Sequence, residues 1–376
     1  MLTTLLAAAA LALGPLAVVP TASPFAPPPP PAQKVLRLLA PSGAFDARLL
    51  RAFEHESGYA VAYDAYGDPA RVFPLMREPY DVVVLPGPEL ARAIQARRLR
   101  AIEKGKAPNA RRIAPPVAAK LAAYDATSAY GLAWGWSATG LLFDARKAPA
   151  LLGAPPDSWA DALAPGISRK LSSCGVALPD SRDEMFIAAW RLMGIDPARA
   201  RERDVKAAAD LIIRARASVR EPASHDPVSA IAAGAVCLAF GAAAQAPIAS
   251  RRSREGGEGL EIRYAEPREG GPIAIDALAE LRDAPHPEKA LALIDFLLRP
   301  SVAAEATAAA GLTSAEAEAP ARLFRALWPV GVYEPALVSV VEKEWTRVRV
   351  PAVKAHGPEA KPSSRPAKRR PAKRKR

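Results

Sequence analysis

The chain has 376 residues, 50% of them apolar and 24% charged, enough for one large domain or two medium ones with real cores. That composition excludes a collagen-like, wholly disordered or disulfide-scaffold protein, and two Cys and four His give no basis for a multi-Cys zinc module or a His-rich metal site. The formal charge is +12, but residues 352–376 hold ten Lys/Arg and one Glu, so the tail carries +9 and the remainder +3.

Residues 1–23 contain an uncharged apolar stretch from Leu5 to Val19 followed by small residues. It is shorter than the roughly 20 residues of a membrane span and predicts a secretory signal peptide. An uncleaved anchor helix is the alternative. No Cys lies near it, which excludes a lipoprotein anchor. Residues 24–33, with five consecutive prolines, predict a polyproline spacer. At the other end, residues 351–376 are basic and Pro-broken and predict a disordered tail. An anionic envelope surface is its electrostatic partner, and plain solvation is the bland alternative. For an exported chain, nucleic acid is not an expected partner.

Between the ends, Val35–Leu39 reads as a strand that turns at Ala40–Gly43. Asp46 is placed to cap a helix with apolar face Leu49, Leu50 and Phe53, closed by Gly58. Tyr59–Tyr66 alternates as a strand, and Asp81–Gly87 reads as an apolar strand running into a turn. Glu89–Leu99 reads as a helix. Strands alternating with helices predict an α/β sheet with parallel pairs. Ligands of such sheets sit beyond the strand carboxyl ends, which points to the turns 41–44 and 86–88.

A second series follows. Tyr130–Trp136 is an extended aromatic segment, and Ser137–Gly140 predicts a turn into Leu141–Phe143. Asp157-Ser158-Trp159 opens a short helix, Cys174–Leu178 reads as a strand, and Asp183-Glu184 starts a helix through Met193. Val205–Ala217 is a helix, Ala235–Phe240 a strand, Ile273–Asp276 a strand and Pro287–Leu298 a helix. There is no Gly-rich phosphate loop, no repeat and no Ser/His/Asp or metal motif, so no cofactor and no enzymatic activity are expected. Asp183 and Glu184 are adjacent on a helix and point in different directions, which rules out an acid/base dyad.

The order of these segments carries a resemblance. Phe53-Glu54 and Gly58, DVVV at 81–84, WSATG at 136–140, DSW at 157–159, KLSSCGV at 170–176, DEMF at 183–186, CLAFG at 237–241 and DFLLRP at 295–300 are collinear. They resemble the periplasmic polyamine-binding proteins of ABC importers, the putrescine-binding branch above all, from about Val35 to Val348. The resemblance implies an α/β, two-lobed periplasmic binding protein fold of type II, with discontinuous lobes joined by two crossovers. One lobe would hold residues 34–135 plus 245–350 and the other 136–244. It also implies a monomer, a periplasmic location, an ABC permease as partner and a disulfide between Cys174 and Cys237.

A diamine site needs carboxylates at both ends of a slot and aromatic walls between them. Where the family has Trp-Ser-Asp-Tyr, this chain has Pro41-Ser42-Gly43-Ala44, so only Ser42 persists, with Phe45 as a displaced ring. The family Ser after the DVVV strand falls among Leu85–Pro88. The family Trp and Asp after CLAFG are Ala242 and Gln245. Glu184 and Asp276 match family carboxylates, whereas Ala274 and Leu312 stand for family rings. The candidate ligand residues are therefore Ser42, Phe45, Glu184, Gln245 and Asp276, around a small amine or a zwitterion. Tight putrescine or spermidine binding is not expected. The competing expectation is a non-transporting envelope binding or sensor protein on the same scaffold.

Overall fold

The structure, a computed structural model, describes residues 34–68, 71–219, 226–318 and 320–349. The signal segment, the proline spacer and the basic tail lie outside the described residues. Eleven strands are found among them: β1 Val35–Pro41, β2 Ala60–Tyr66, β3 Val82–Pro86, β4 Leu99–Arg100, β5 Gly131–Asp144, β6 Val176–Ala177, β7 Leu238–Ala242, β8 Ile262–Ala265, β9 Pro272–Leu281, β10 Thr313–Ser314 and β11 Trp328–Pro329. Hydrogen bonding orders them β2-β1-β3-β9-β5-β7-β6, with β4 and β11 on β9 and with β8 and β10 on β5. β1 pairs in parallel with β2 and β3, as expected, and β9 and β5 run antiparallel.

β5 organises the molecule. Its first half, to Ala138, pairs with β9, and its second half, from Thr139, pairs with β7 and β8. The Ser137–Gly140 segment is thus not the turn its composition predicts: the strand runs straight on and exchanges partners. Gly140 is there for close approach, since a Cβ would lie 2.6 Å from the Ala265 carbonyl oxygen. Two sheets result, each with a core on both faces. In the first, Leu36, Leu38, Val82, Val84 and Leu278 face one apolar cluster, and Leu39, Val83, Leu85, Ile275 and Ala277 face another. In the second, Leu141, Phe143, Leu238 and Phe240 face one cluster, and Leu142 and Ala239 the other. This alternation is the period-2 geometry of strands buried on both faces.

The helices follow local chemistry. Helix Ala47–Ser57 is capped by Asp46, whose Oδ1 accepts from the Leu49 amide at 2.8 Å, and closes on Gly58 in the left-handed region (φ 71°). Helix Arg182–Leu192 is capped by Ser181 and buries Met185 to Trp190. Two further segments pack on the cores of the second sheet. Ala246, Ala249, Leu260 and Ile262 join the core of the second sheet. So do Leu337, Val341, Trp345 and Val348 at the C-terminal helix Val338–Arg349. Amphipathicity shows that such a helix buries a face, but not against which sheet. Cys174 and Cys237 form a disulfide with Cα atoms 5.5 Å apart, beside the parallel pair Val176↔Leu238. The predicted strand 174–178 shortens to two residues because the chain turns at Gly175 to place the bridge.

β9 also buries a carboxylate. Glu280 is 0% exposed, and burial lifts its pKa from 4.5 to about 7, against the opposing pull of Arg100 at 2.9 Å. The folded state holds this proton more tightly than the unfolded chain does, so stability falls as pH rises from about 4.5 through about 7. Glu280→Gln removes that loss. It is expected to exceed the parent by about 1–3 kcal/mol at alkaline pH and to match it at acidic pH. Urea unfolding at the two extremes of pH checks this, and a variant no more stable at alkaline pH would refute it.

Candidate functional site

The parallel strands β1, β2 and β3 end side by side, at Pro41, Tyr66 and Pro86. Beyond β1, the exposed Ser42 donates from its Oγ to the Tyr66 carbonyl at 3.1 Å, and from its amide to the same oxygen at 2.8 Å. Gly43 follows in the left-handed region (φ 78°) with open space where a Cβ would be. Tyr66 turns inward, and its Oη donates to the Val84 carbonyl at 2.9 Å. Beyond β3, Gly87 lies flat under the Tyr124 ring. A Cβ there would come within 2.2 Å of that ring, so only glycine allows the approach. The Tyr124 Oη donates to the Val330 carbonyl at 2.6 Å.

Asp276 comes to this edge on the antiparallel strand β9, opposite Pro86 on one side and Gly135 on the other. The β5–β9 register slips between Ala133 and Gly135, a bulge directly beside Asp276. Bulges re-aim neighbouring side chains and are common next to binding sites. Asp276 is half-buried, and its carboxylate makes no hydrogen bond or ion pair among the described residues. Burial alone pushes its pKa from 3.8 up to about 7.

The second side of the site is the first turn of helix Arg182–Leu192. The Glu184 carboxylate accepts a hydrogen bond from the Thr139 hydroxyl, and the Glu184 amide donates to the capping Ser181 Oγ at 3.5 Å. Burial raises its pKa, partly offset by those two hydroxyls. Asp183 pairs with Arg182 at 2.7 Å and accepts from the Tyr333 Oη at 2.6 Å. Gly331 sits between Pro88 and Asp183, so a Cβ on it would lie 3.0 Å from the first and 3.3 Å from the second. Thr139 lies opposite Ala242 in the β5–β7 ladder, and the Gln245 Oε1 accepts from the Ala242 amide at 2.8 Å.

These two sides meet at Tyr124. Its hydroxyl is pushed up by burial and then by the fields of Asp183 and Asp276. Tyr66 is raised by burial and then by Asp276. Helix Arg182–Leu192 also contacts β9. Ser42 is thus linked to Asp276 through Tyr66, and Glu184 adjoins Asp183, while Gln245 is one ladder step from the Thr139–Glu184 pair. Phe45 stands apart. It is 4% exposed and packs in the core against Tyr63 and Trp134, with ring centroids 5.8 and 5.3 Å away. Its side chain supplies no wall to this site. Leu312 packs where a Cβ on Gly135 would be, at 3.0 Å.

Tyr66, Tyr124, Thr139 and Tyr333 are not among the candidate ligand residues of the sequence, and Asp183 enters there only as the neighbour of Glu184. Tyr66 was open to discovery, because it ends a strand parallel to β1 and so shares its carboxyl edge. Tyr124 and Tyr333 lie in irregular segments and carried no signal. The arrangement offers one half-buried carboxylate without a partner, flanked by tyrosine rings and two engaged acids. It suits one positive group. Among the described residues, no group of three or more His, Cys, Asp or Glu is placed to hold a metal ion.

Residues 49–326 match the family model of the bacterial extracellular solute-binding proteins. The putrescine-binding periplasmic protein PotF of Escherichia coli is 30% identical over 320 residues, covering 79% of this chain and 86% of that protein. A putrescine/agmatine-binding protein of Pseudomonas aeruginosa is 32% identical over 259 residues, covering 68% and 71%. Among solved structures, the spermidine/putrescine substrate-binding protein PotD of Streptococcus pneumoniae superposes with a TM-score of 0.71 at 13% identity, over 84% of this chain and 98% of that one. The Tp0655 lipoprotein of Treponema pallidum gives 0.69 at 20% identity, over 84% and 99%. With the family match spanning most of the chain and the two-sheet fold shared with those structures, this chain belongs to the bacterial extracellular solute-binding proteins.

Proposed function

We propose that this protein is the periplasmic receptor of a polyamine-type ABC importer, and that its cleft holds a single small organic cation against Asp276 rather than a long diamine. The observation that carries this reading is Asp276 itself, a half-buried carboxylate with no counter-ion among the described residues. The relatives named for putrescine support the class of ligand, and the likeness to an ABC transporter substrate-binding protein supports the partnership with a permease. The lobes are taken as residues 35–138 with 272–332, and 139–265 with 333–349, following the cores.

Charge argues against a tight diamine. Gly43 and Gln245 stand where the resemblance puts carboxylates, and the Gln245 Oε1 is already bonded to backbone. Two missing charge-assisted contacts at about 1.5–3 kcal/mol each turn a micromolar affinity into about 0.1 mM or weaker. Titration calorimetry with putrescine and spermidine at low salt tests this, and submicromolar binding would overturn it. Gly43→Asp with Gln245→Asp is expected to raise putrescine affinity at least tenfold. Open space at Gly43 admits the side chain, and Asp tolerates the left-handed backbone there. No gain would mean that the cleft's shape, and not only its charge, differs from that of the relatives.

A further inference from the structure

A cavity of about 470 Å³ lies apart from the cleft carboxylates and is lined by cations from three elements. Lys120 comes from helix Pro115–Leu121, Arg191 from the last turn of helix Arg182–Leu192, and Arg325 from helix Ala321–Ala326. The Arg191 Nε is buried with no hydrogen-bond acceptor, and neither Arg191 nor Arg325 has an ion pair among the described residues. Lys120 gives one hydrogen to the Leu327 carbonyl at 2.6 Å and keeps two. Two acids stand on the rim, and the charge of Asp196 acts on Arg191 without forming an ion pair with it. Asp196 accepts from the Ala198 amide at 3.1 Å. Glu269 accepts from the Ser158 hydroxyl and from the Trp159 amide at 3.3 Å.

Like charges held together in a half-buried cavity oppose one another, and burying a guanidinium without an acceptor is costly. The pKa of Lys120 is lowered by burial and then by Arg191, and that of Arg191 by burial. An anion relieves both penalties at once. We propose that this cavity binds a small oxyanion with two or more negative charges, held by Arg191, Lys120 and Arg325. The Arg fork suits two oxygens of a phosphate or carboxylate, and the Lys ammonium acts as a point charge. The volume admits a phosphate ester or a polycarboxylate. Arg191 stands between Trp190 and Leu192 of the second core, and Lys120 and Arg325 adjoin Leu121 and Phe324 of the first, so the anion would bridge elements of both. Arg191 also lies about 10 Å along one helix from Glu184, at 1.5 Å per residue.

The test is titration of the intact protein with inorganic phosphate and, separately, citrate, with chloride balancing ionic strength. Melting temperature and calorimetry are the readouts. At least one anion is expected to raise Tm and to saturate by about 10 mM. Arg191→Gln and Arg325→Gln should each weaken that response at least fivefold, while the exposed Arg252→Gln leaves it unchanged. A response to phosphate alone assigns a phosphate-type ligand, and one to citrate alone a carboxylate-type ligand. Arg325 has no described partner, so its variant tests the site even if Arg191→Gln folds poorly. No saturable response to either anion, or a response indifferent to Arg325→Gln, overturns the proposal.

Discussion

Asp276→Asn is expected to lose cation binding while becoming no less stable. The carboxylate is the only unengaged acid of the candidate site, and an amide replaces a charge-assisted contact with a neutral one. That costs about 1.5–3 kcal/mol, or roughly ten- to hundredfold in affinity. The pH dependence gives a second signature. Burial holds the Asp276 pKa at about 7, against an ordinary 3.8. A cation prefers the ionised form, so binding must expel the proton at lower pH. Parent affinity for putrescine should rise about tenfold per pH unit toward pH 7 and level off above it. The Asn variant should show no such rise. Stability moves in the opposite sense. A carboxyl whose folded pKa is raised contributes less stability as pH climbs from about 3.8 through about 7, so the Asn variant should melt at or above the parent at alkaline pH. Binding lost together with a lower Tm would indicate a structural role and defeat this reading.

Removing the disulfide is the other large effect. Cys174 and Cys237 are 63 residues apart, and closing a loop of that length removes about 4 kcal/mol worth of unfolded-chain entropy. Cys237 is fully buried in the second core, so the bridge anchors the edge strand β6 to β7. Cys174→Ala with Cys237→Ala should lower stability by roughly 3–5 kcal/mol and Tm by roughly 5–10 °C. Calorimetry resolves where the loss falls, since both Cys pack with the second core. Melting within about 1 °C of the oxidised parent would rule out the entropic account.

Much of the architecture was legible because it rests on short-range chemistry. Asp46 and Gly58 bracket their helix as their side-chain and backbone preferences require. The apolar run at 82–85 is a strand buried on two faces, and the strand read at 273–276 is the start of the longer β9. The failures share one cause, which is that sequence pattern does not name the partner. Ser137–Gly140 has turn composition, yet β5 passes through it because β9 hands the strand over to β7 and β8. Phe45 lies next to the Ser42 turn in sequence, yet its ring belongs to the core beside Trp134. Residues 245–262 and the C-terminal helix pack on the second sheet, which no periodicity could specify. At the site, Asp276 and Glu184 could be matched by position. Their different states could not, because they depend on the Thr139 hydroxyl reaching one carboxylate and no described group reaching the other.

The place of β9 has a consequence for how the chain acquires its structure. It lies between β3 and β5 although it is made of residues 272–281. The three N-terminal strands therefore cannot join the rest of their sheet until nearly three hundred residues are available. Contacts of such sequence separation form slowly, because a long loop must close before they contribute. A chain threaded N-terminus first through a narrow pore would stay open for most of its passage. The N-terminal strands would find their place only after about three-quarters of the chain had emerged.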